Sequence, residues 1–302
     1  MNHPVLFACS CLLPLSTLVA QGPRYATFTG TSRTSEAAST TEDGERRSSG
    51  SFGVDFPTAY YFRGIQYENQ GLIAQPHLEL VYPLTAAADS TPSFDLVLGT
   101  WSSFHTGPTG IAGGNSAWFE SDLYLGVATQ LNDKWSASGT YSWYGAPQNG
   151  TVTEEITFSL AYDDSEMWLQ DVGGLQPAFV LGFETKGQAD GGNDKGIYAQ
   201  IGIEPTFKLG QTGSLDWTMT MPVAIGMSLS GYYEDAGGSD TFFGFFDLGV
   251  DLTTPLEMVP SRFGPWDLSV GLHALLLGDT TEQFNGGDSF EWIFSVGLST
   301  TW

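Results

Sequence analysis

Residues 290–302 read FEWIFSVGLSTTW, and bulky side chains occupy nearly every second position of this stretch. A period of two is typical of a β-strand, because successive side chains point to opposite faces of a sheet. One face would carry Phe290, Trp292, Phe294, Val296, Leu298, Thr300 and Trp302, and the other Glu291, Ile293, Ser295, Gly297, Ser299 and Thr301. The fold depends on whether the apolar face meets protein or lipid.

The same pattern recurs roughly every twenty residues from position 51 onward, and we count twelve such segments. Turn-forming sequences such as NDK at 132–134 and GQTGS at 210–214 separate them. A clear example is residues 134–144, where Trp135, Ala137, Tyr141 and Trp143 alternate with Ser136, Ser138, Thr140 and Ser142. The repeated pattern predicts an all-β protein of twelve antiparallel strands.

The bulk composition excludes several classes of protein. The chain has 302 residues and a formal net charge of −24, with 10 basic against 34 acidic residues. Such a surface repels nucleic acid, which requires clustered basic side chains. After the first twenty residues there is no apolar run of about 18 residues, so no membrane-spanning helix is predicted.

The N-terminal region divides into two predicted segments before the barrel. Residues 1–20 resemble a secretory signal peptide with a cut after Ala20, although its start carries no Lys or Arg. Residues 21–50 are rich in Ser, Thr, Gly and balanced charges, which predicts a flexible segment. Because Cys9 and Cys11 lie in the first segment, the mature chain would contain no cysteine-based scaffold. Residues 51–302 are then one β domain.

Two architectures share this alternation. A secreted soluble β-sandwich has it, and so does a closed transmembrane barrel of a bacterial outer membrane. An even number of strands of roughly ten residues, aromatics near strand ends and small polar residues on the second face favour the barrel. Closure is needed there because every backbone group in lipid must be paired within the protein. The soluble sandwich remains the alternative.

The last strand adds a sorting argument. Bacterial outer-membrane barrels commonly end on an aromatic residue with a glycine five residues before it, and Trp302 and Gly297 fit this pattern. We predict that these residues form the insertion signal for the barrel-assembly machinery. Outer-membrane lipid and lipopolysaccharide are the other expected partners.

Residues 52–80, FGVDFPTAYYFRGIQYENQGLIAQPHLEL, resemble the opening of the TorF family of porins. That family has an Asp-Tyr-x-Phe-Arg-Gly pattern, which resembles the stretch Tyr61, Phe62, Arg63, Gly64 and Ile65 here, while Ala59 replaces the aspartate. WSSF at 101–104, FESDLYLG at 119–126, YSWYGAP at 141–147 and EEITFSLAYD at 154–163 follow in the expected order. The resemblance implies an outer-membrane pore and leaves its solute open.

The polar face is strongly acidic. Strand parity sends inward the candidate pore-lining residues Asp55, Arg63, Glu79, Glu120, Asp122, Glu155, Glu184, Glu204, Asp216, Asp247, Asp251 and Asp267, together with Glu291, Lys186, His77 and His273. A lumen with this imbalance favours cations, less so as salt screens it. We therefore predict a porin-like channel for passive diffusion of small polar or cationic solutes, with weak cation selectivity.

Alternatives to an open pore stay open. Twelve strands lie between the packed barrels of eight strands and the water-filled porins of sixteen, so the carboxylates could instead hydrogen-bond within a filled interior. The chain would then be a non-conducting barrel with a structural or surface role. Arg63, eight residues from Asp55 and so on the same predicted face, could set a constriction by bidentate pairing or form a structural ion pair.

Catalytic and metal sites are not predicted. His77, His105 and His273 are each solitary, and no G-x-S-x-G motif occurs, so the chain is not expected to be an enzyme. Asp190 and Asp194 lie in a glycine-rich loop and are weak Ca²⁺ candidates, but the full calcium-loop pattern is missing. We expect no cofactor and no metal.

Overall fold

The computed structural model describes residues 47–85, 92–114, 116–167, 173–189, 192, 194–213, 215–235 and 237–302. The predicted signal peptide, residues 21–46 of the predicted flexible segment and Asp190 lie outside the described residues. The first strand already begins at Ser49, slightly before the predicted boundary at residue 51.

The described residues form β-strands with little helix. The elements are β1 (Ser49–Pro57), β2 (Tyr60–Phe62), β3 (Ile65–Glu68), β4 (Ile73–Pro83), β5 (Ser93–His105), β6 (Trp118–Gln130), β7 (Trp135–Ala146), β8 (Thr151–Tyr162), β9 (Ala178–Lys186), β10 (Ile197–Ile203), β11 (Thr206–Thr212), β12 (Leu215–Thr220), β13 (Val223–Ser230), β14 (Phe243–Pro255), β15 (Trp266–Leu277), helix α1 (Asp279–Phe284) and β16 (Phe290–Thr301). A short 3-10 turn covers Ser261–Phe263. No helix in the described part of the chain has the length and apolarity needed to cross a membrane.

Twelve strands close into a single antiparallel barrel. Their order around the wall is β1, β4 to β10, β13 to β16, and back to β1. The last strand closes the barrel along β1, and Gly50 and Trp302 exchange two backbone hydrogen bonds of 3.0 Å at its end. The predicted strand number and closure are confirmed, and the alternative of a β-sandwich is wrong because there is one closed sheet.

The two faces of the wall have opposite character. Ser136, Ser138, Thr140 and Ser142 on β7 are buried, as are Thr157 and Ser159 on β8, so the interior face is small and polar. Bulky residues of the other parity are more than a third exposed, among them Phe52, Leu80, Leu98, Leu125, Phe158, Ile201, Leu248, Leu272 and Trp292. Apolar side chains therefore cover the outside of the barrel.

Prolines interrupt two of the long strands. Pro205 separates β10 from β11 and Pro222 separates β12 from β13, because proline has no N–H for the ladder. Beyond these breaks, β11 and β12 form a hairpin that pairs with β14 only at Thr218–Thr220. Asp216 lies on this hairpin and is exposed, so its predicted place on the closed interior wall is wrong.

The chain leaves the wall at the end of β1, earlier than predicted. Instead of continuing to Phe62, β1 ends at Pro57, and residues 60–68 form the β2–β3 hairpin, which we call the inner hairpin. Its turn consists of Arg63, with φ 50°, and Gly64, with φ 84°. Glycine tolerates this left-handed conformation, whereas for arginine it is strained and must be imposed by the surroundings.

Glycines on the interior face leave room for aromatic rings that pack against the backbone. A Cβ at Gly99 would lie 2.0 Å from the Tyr124 ring, whereas a Cβ at Gly139 would lie 3.4 Å from the nearest atom of Phe158. We expect Gly99→Ala to lower the free energy of unfolding by about 1–3 kcal/mol through overpacking. Urea unfolding of the refolded protein in detergent would measure it, with Gly139→Ala as the control. Equal effects of the two substitutions would contradict the close packing of the Tyr124 ring against Gly99.

Candidate functional site in the lumen

The inner hairpin fills the barrel interior at the end opposite the chain termini. Tyr60 is fully buried, with its ring centroid 5.4 Å from Trp101 of β5 and 6.4 Å from Phe119 of β6. Tyr61 is equally buried, in a cluster with Phe245 of β14 and other residues of β15 and β16. The hairpin thus lies inside the barrel at this end and contacts wall strands on both sides of β1.

Arg63 projects from the hairpin turn to Glu155 of β8. Its Nη1 donates to Oε2 at 2.6 Å and its Nη2 donates to Oε1 at 2.7 Å, a bidentate pair. Burial alone would lower the pKa of Arg63, but Glu155, Tyr232 and Tyr144 together outweigh burial, so the pKa is raised and the group stays charged. Arg63 is the only buried lysine or arginine among the described residues.

Tyrosine rings enclose the guanidinium. The Cζ atom of Arg63 lies 3.9 Å from the ring centroid of Tyr198 and 5.3 Å from that of Tyr232, and Nη1 also donates to the Tyr232 hydroxyl at 2.9 Å. Tyr144 donates to Glu155 at 3.4 Å. Cation–π attraction strengthens in such desolvated surroundings. We call the four wall and loop residues Tyr144, Glu155, Tyr198 and Tyr232 the aromatic cage.

The backbone of the hairpin turn is fixed from two further loops. Tyr233 donates its hydroxyl to the Arg63 carbonyl at 2.9 Å. Asn285, just after α1, donates to the Gly64 carbonyl at 2.8 Å and accepts from the Gln66 N–H at 2.7 Å. Since these contacts hold the strained turn, the surroundings determine where the guanidinium sits.

A pair of carboxylates lies next to the hairpin on β6. Tyr60 donates its hydroxyl to Glu120 at 2.7 Å. Asp122, two residues along the same interior face, is 1% exposed. Two acids so close on one strand form an acidic pair directly beside the hairpin, and their proximity disfavours the charge of both at once.

Glu68, at the end of the hairpin, anchors the loop after β5. It accepts hydrogen bonds from the Thr109 N–H at 2.9 Å and the Thr109 hydroxyl at 2.8 Å. Burial alone would raise the pKa of Glu68, but these bonds and those from the N–H groups of Asn69 and Gln70 hold it below its usual value. The hairpin is therefore held at its end as well as at its turn.

His105 is not solitary, contrary to the sequence-based expectation. Its Nε2 lies 2.7 Å from the Ser103 hydroxyl and its Nδ1 lies 2.6 Å from that of Thr109. Ser103 and His105 share a face because they are two residues apart in β5. Both are fully buried beneath the hairpin. Thr109 in turn bonds to Glu68, so this polar chain belongs to the anchoring of the hairpin.

The other interior histidines also have carboxylate neighbours. His273 of β15 is 2% exposed; its Nδ1 lies 3.1 Å from Asp247 and its Nε2 lies 3.3 Å from Asp251. His77 lies 3.6 Å from Asp55. Both histidines therefore face the interior, as predicted, and each lies beside a carboxylate.

Most predicted acidic residues face the interior. The structure places on that face Asp55, Glu79, Glu120, Asp122, Glu155, Glu184, Asp247, Asp251 and Asp267. Glu204 lies at the break between β10 and β11, and its N–H donates to the carbonyl of Leu175. Arg63 reaches the interior through the hairpin and not as part of β1. Whether these groups line a permeation path stays a prediction.

The structure corrects the direction of Lys186 and locates the two residues of the predicted insertion signal. Lys186 is 60% exposed and pairs with Glu154 at 3.0 Å, because a bulge between Glu154 and Glu155 shifts the register, so its predicted inward direction is wrong. Gly297 faces inward, where a Cβ would lie 2.3 Å from Asp55. Trp302 is 60% exposed.

The described residues contain no group of three or more His, Cys, Asp or Glu side chains placed to hold a metal ion. Of the two weak loop candidates, Asp190 lies outside the described residues. The N–H of Asp194 donates to Glu234 at 3.1 Å.

Comparisons with known proteins identify no family for the chain. No family model matches the sequence, and no curated protein matches it. A bacterial polysaccharide outer membrane secretin is similar, with a TM-score of 0.45, 10% identity and coverage of 85% of this chain and 98% of that chain. An outer membrane channel from Pseudomonas putida F1 gives a TM-score of 0.44 and 9% identity, covering 87% and 99%. The β domain of the Bordetella autotransporter BrkA gives 0.38 and 13%, covering 85% and 99%.

Proposed function

We propose that this chain is a bacterial outer-membrane channel through which small polar or cationic solutes diffuse passively. One observation carries the proposal: the barrel is apolar outside and acidic inside, the reverse of a water-soluble protein. Closure of the twelve-stranded wall gives each of its strands a neighbour on both sides, as a lipid environment requires. The motifs at residues 52–163 that resemble the TorF porins agree with this function.

Weak cation preference follows from the charges within the lumen. Carboxylates face the interior from most of the wall strands, whereas Arg63 is the one buried lysine or arginine in the described residues. The Arg63–Glu155 pair offsets part of this charge. The remaining negative potential attracts cations and weakens as salt rises.

A non-conducting barrel is the second candidate, and the inner hairpin favours it. The hairpin packs against the wall on both sides of β1, so conduction requires that it move. We propose that it moves, since the groups that it covers, such as Glu120 and Glu155, are acidic and would be hydrated once it is withdrawn. The same proposal includes two expectations about the outer membrane. Gly297 and Trp302 serve as the insertion signal for the barrel-assembly machinery, and the outer face of the barrel contacts lipid and lipopolysaccharide.

Reversal potentials in a planar bilayer under a KCl gradient test this function. We expect a cation-directed potential, reduced when Glu120→Gln and Asp122→Asn are combined, because the interior loses up to two negative charges. The matched control is Glu154→Gln with Glu166→Gln, which removes two acids outside the lumen. No current from correctly folded protein would refute the channel. An anion-directed potential, or equal shifts in the two double variants, would refute the role of the interior acids.

A further inference from the structure

The aromatic cage has the composition of a binding site for an organic cation. Glu155 is 1% exposed and supplies a carboxylate that is supported by the Thr157 hydroxyl at 2.7 Å. Tyr198 and Tyr232 present ring faces whose centroids are 5.0 Å apart. A buried carboxylate beside aromatic faces is how proteins recognise guanidinium and ammonium groups.

The cage and the cation that occupies it belong to different parts of the fold. The cage residues lie on β7, β8, β10 and the loop after β13, whereas Arg63 arrives on the inner hairpin. Arg63 holds a left-handed backbone conformation that an arginine does not favour. Withdrawal of the hairpin would relieve that strain and leave Glu155 facing the lumen without its partner.

We propose that the aromatic cage is a lumenal binding site for solutes that carry a guanidinium group, and that Arg63 occupies it as an internal ligand. The inference rests on the proposed channel and names the class of solute that it would favour. A solute with a free guanidinium group on a flexible stem would compete with Arg63 for the same carboxylate. Its binding would then stabilise the barrel with the hairpin withdrawn.

The geometry selects guanidinium over other groups. Both oxygens of Glu155 accept from separate nitrogens, at 2.6 and 2.7 Å, while one nitrogen also reaches Tyr232. A planar fork satisfies these directions at once, and an ammonium group, being a compact point charge, cannot. A neutral urea has a similar shape but brings no charge to offset the buried carboxylate.

Chemical complementation of Arg63→Ala tests the site. The substitution removes the internal ligand and leaves the cage, and ethylguanidinium is the probe because it replaces the missing end of the side chain. Calorimetric titration in detergent is expected to show binding to Arg63→Ala at least about tenfold tighter than to the wild type or to Arg63→Ala/Glu155→Gln. Ethylurea, the neutral control, should bind none of them. Equal binding to the two variants, or equal binding of ethylurea, would overturn the proposal.

Refolding keeps the test decisive if Arg63→Ala does not fold alone. Refolding with ethylguanidinium should then restore the mobility difference between unheated and boiled samples, whereas refolding with ethylurea should not. Failure of both compounds to restore it would overturn the proposal. Since neither readout involves current, a barrel that binds the probe without conducting would refute only the channel. One that conducts without binding would refute only the site.

Discussion

Replacing residues 59–70 with a short glycine–serine loop is expected to raise the single-channel conductance of the barrel several-fold. The replacement removes the inner hairpin, which occludes the end of the lumen opposite the chain termini. Asp55 of β1 pairs with Gln75 of β4, so the two strands are neighbours and a short turn can connect them. Glu120, Asp122 and Glu155 would then face water, and the reversal potential should move further toward cations.

Single-channel recording in planar bilayers measures this effect. The matched control shortens the tip of the β11–β12 hairpin at residues 209–213, which lies beyond the closed wall and should leave the conductance unchanged. A hairpin deletion that folds and conducts no better than the wild type would contradict the proposal that the inner hairpin closes the lumen. It would place the closure at a second interior layer, where Val81, Val97, Tyr124 and Ala128 pack together.

Strand number and wall direction could be predicted from the sequence because both depend on local pattern. A period of two repeated in twelve segments specifies which side chains share a face, and closure follows once the outer face must meet lipid. The long connection at 163–177, which the pattern does not explain, is stabilised from within: Asp164 accepts from the N–H groups of Leu175 and Gln176 at 3.1 and 2.8 Å. Such loop contacts have no periodic signature.

Single-residue bulges limited the prediction of side-chain direction. Phe119, which parity assigns to the outer face, turns inward beside a bulge and lies with its ring centroid 4.5 Å from that of His105. Lys186 shows the opposite change, because parity assigns it to the inner face and it is exposed. A slip of one residue exchanges the two faces of a strand, and the hydrophobic pattern does not reveal where a slip occurs.

The inner hairpin could not be predicted from strand parity. Arg63 lies an even number of residues from Asp55, so the pattern predicts that β1 continues through it and that its side chain points inward. The side chain does lie inside the barrel, but because the inner hairpin carries it there. Its partner Glu155 is 92 residues away in sequence, and no local rule links them. Two signals did exist in the sequence: the adjacent tyrosines at 60–61 and 232–233 break the alternation, and Tyr198 stands on an otherwise polar face.

Arg63→Met is expected to lower the free energy of unfolding by about 3–5 kcal/mol, because it leaves the Glu155 carboxylate buried without its partner. Combining Arg63→Met with Glu155→Leu should recover most of this loss, since apolar side chains of similar volume can replace a buried ion pair. Urea unfolding of the refolded protein in detergent provides the measurement. The control is Lys134→Met, which removes an exposed ion pair with Glu166 and should leave the unfolding midpoint unchanged.

The double variant separates stability from function. If Arg63→Met/Glu155→Leu is as stable as the wild type, the ion pair is not needed for folding, and the proposed recognition of guanidinium is its remaining role. If the double variant is as unstable as Arg63→Met, apolar side chains cannot replace the ion pair, and the guanidinium between the tyrosine rings is itself needed to hold the hairpin. If Arg63→Met alone matches Lys134→Met, Glu155 is hydrated in solution, and the inner hairpin does not seal the lumen there.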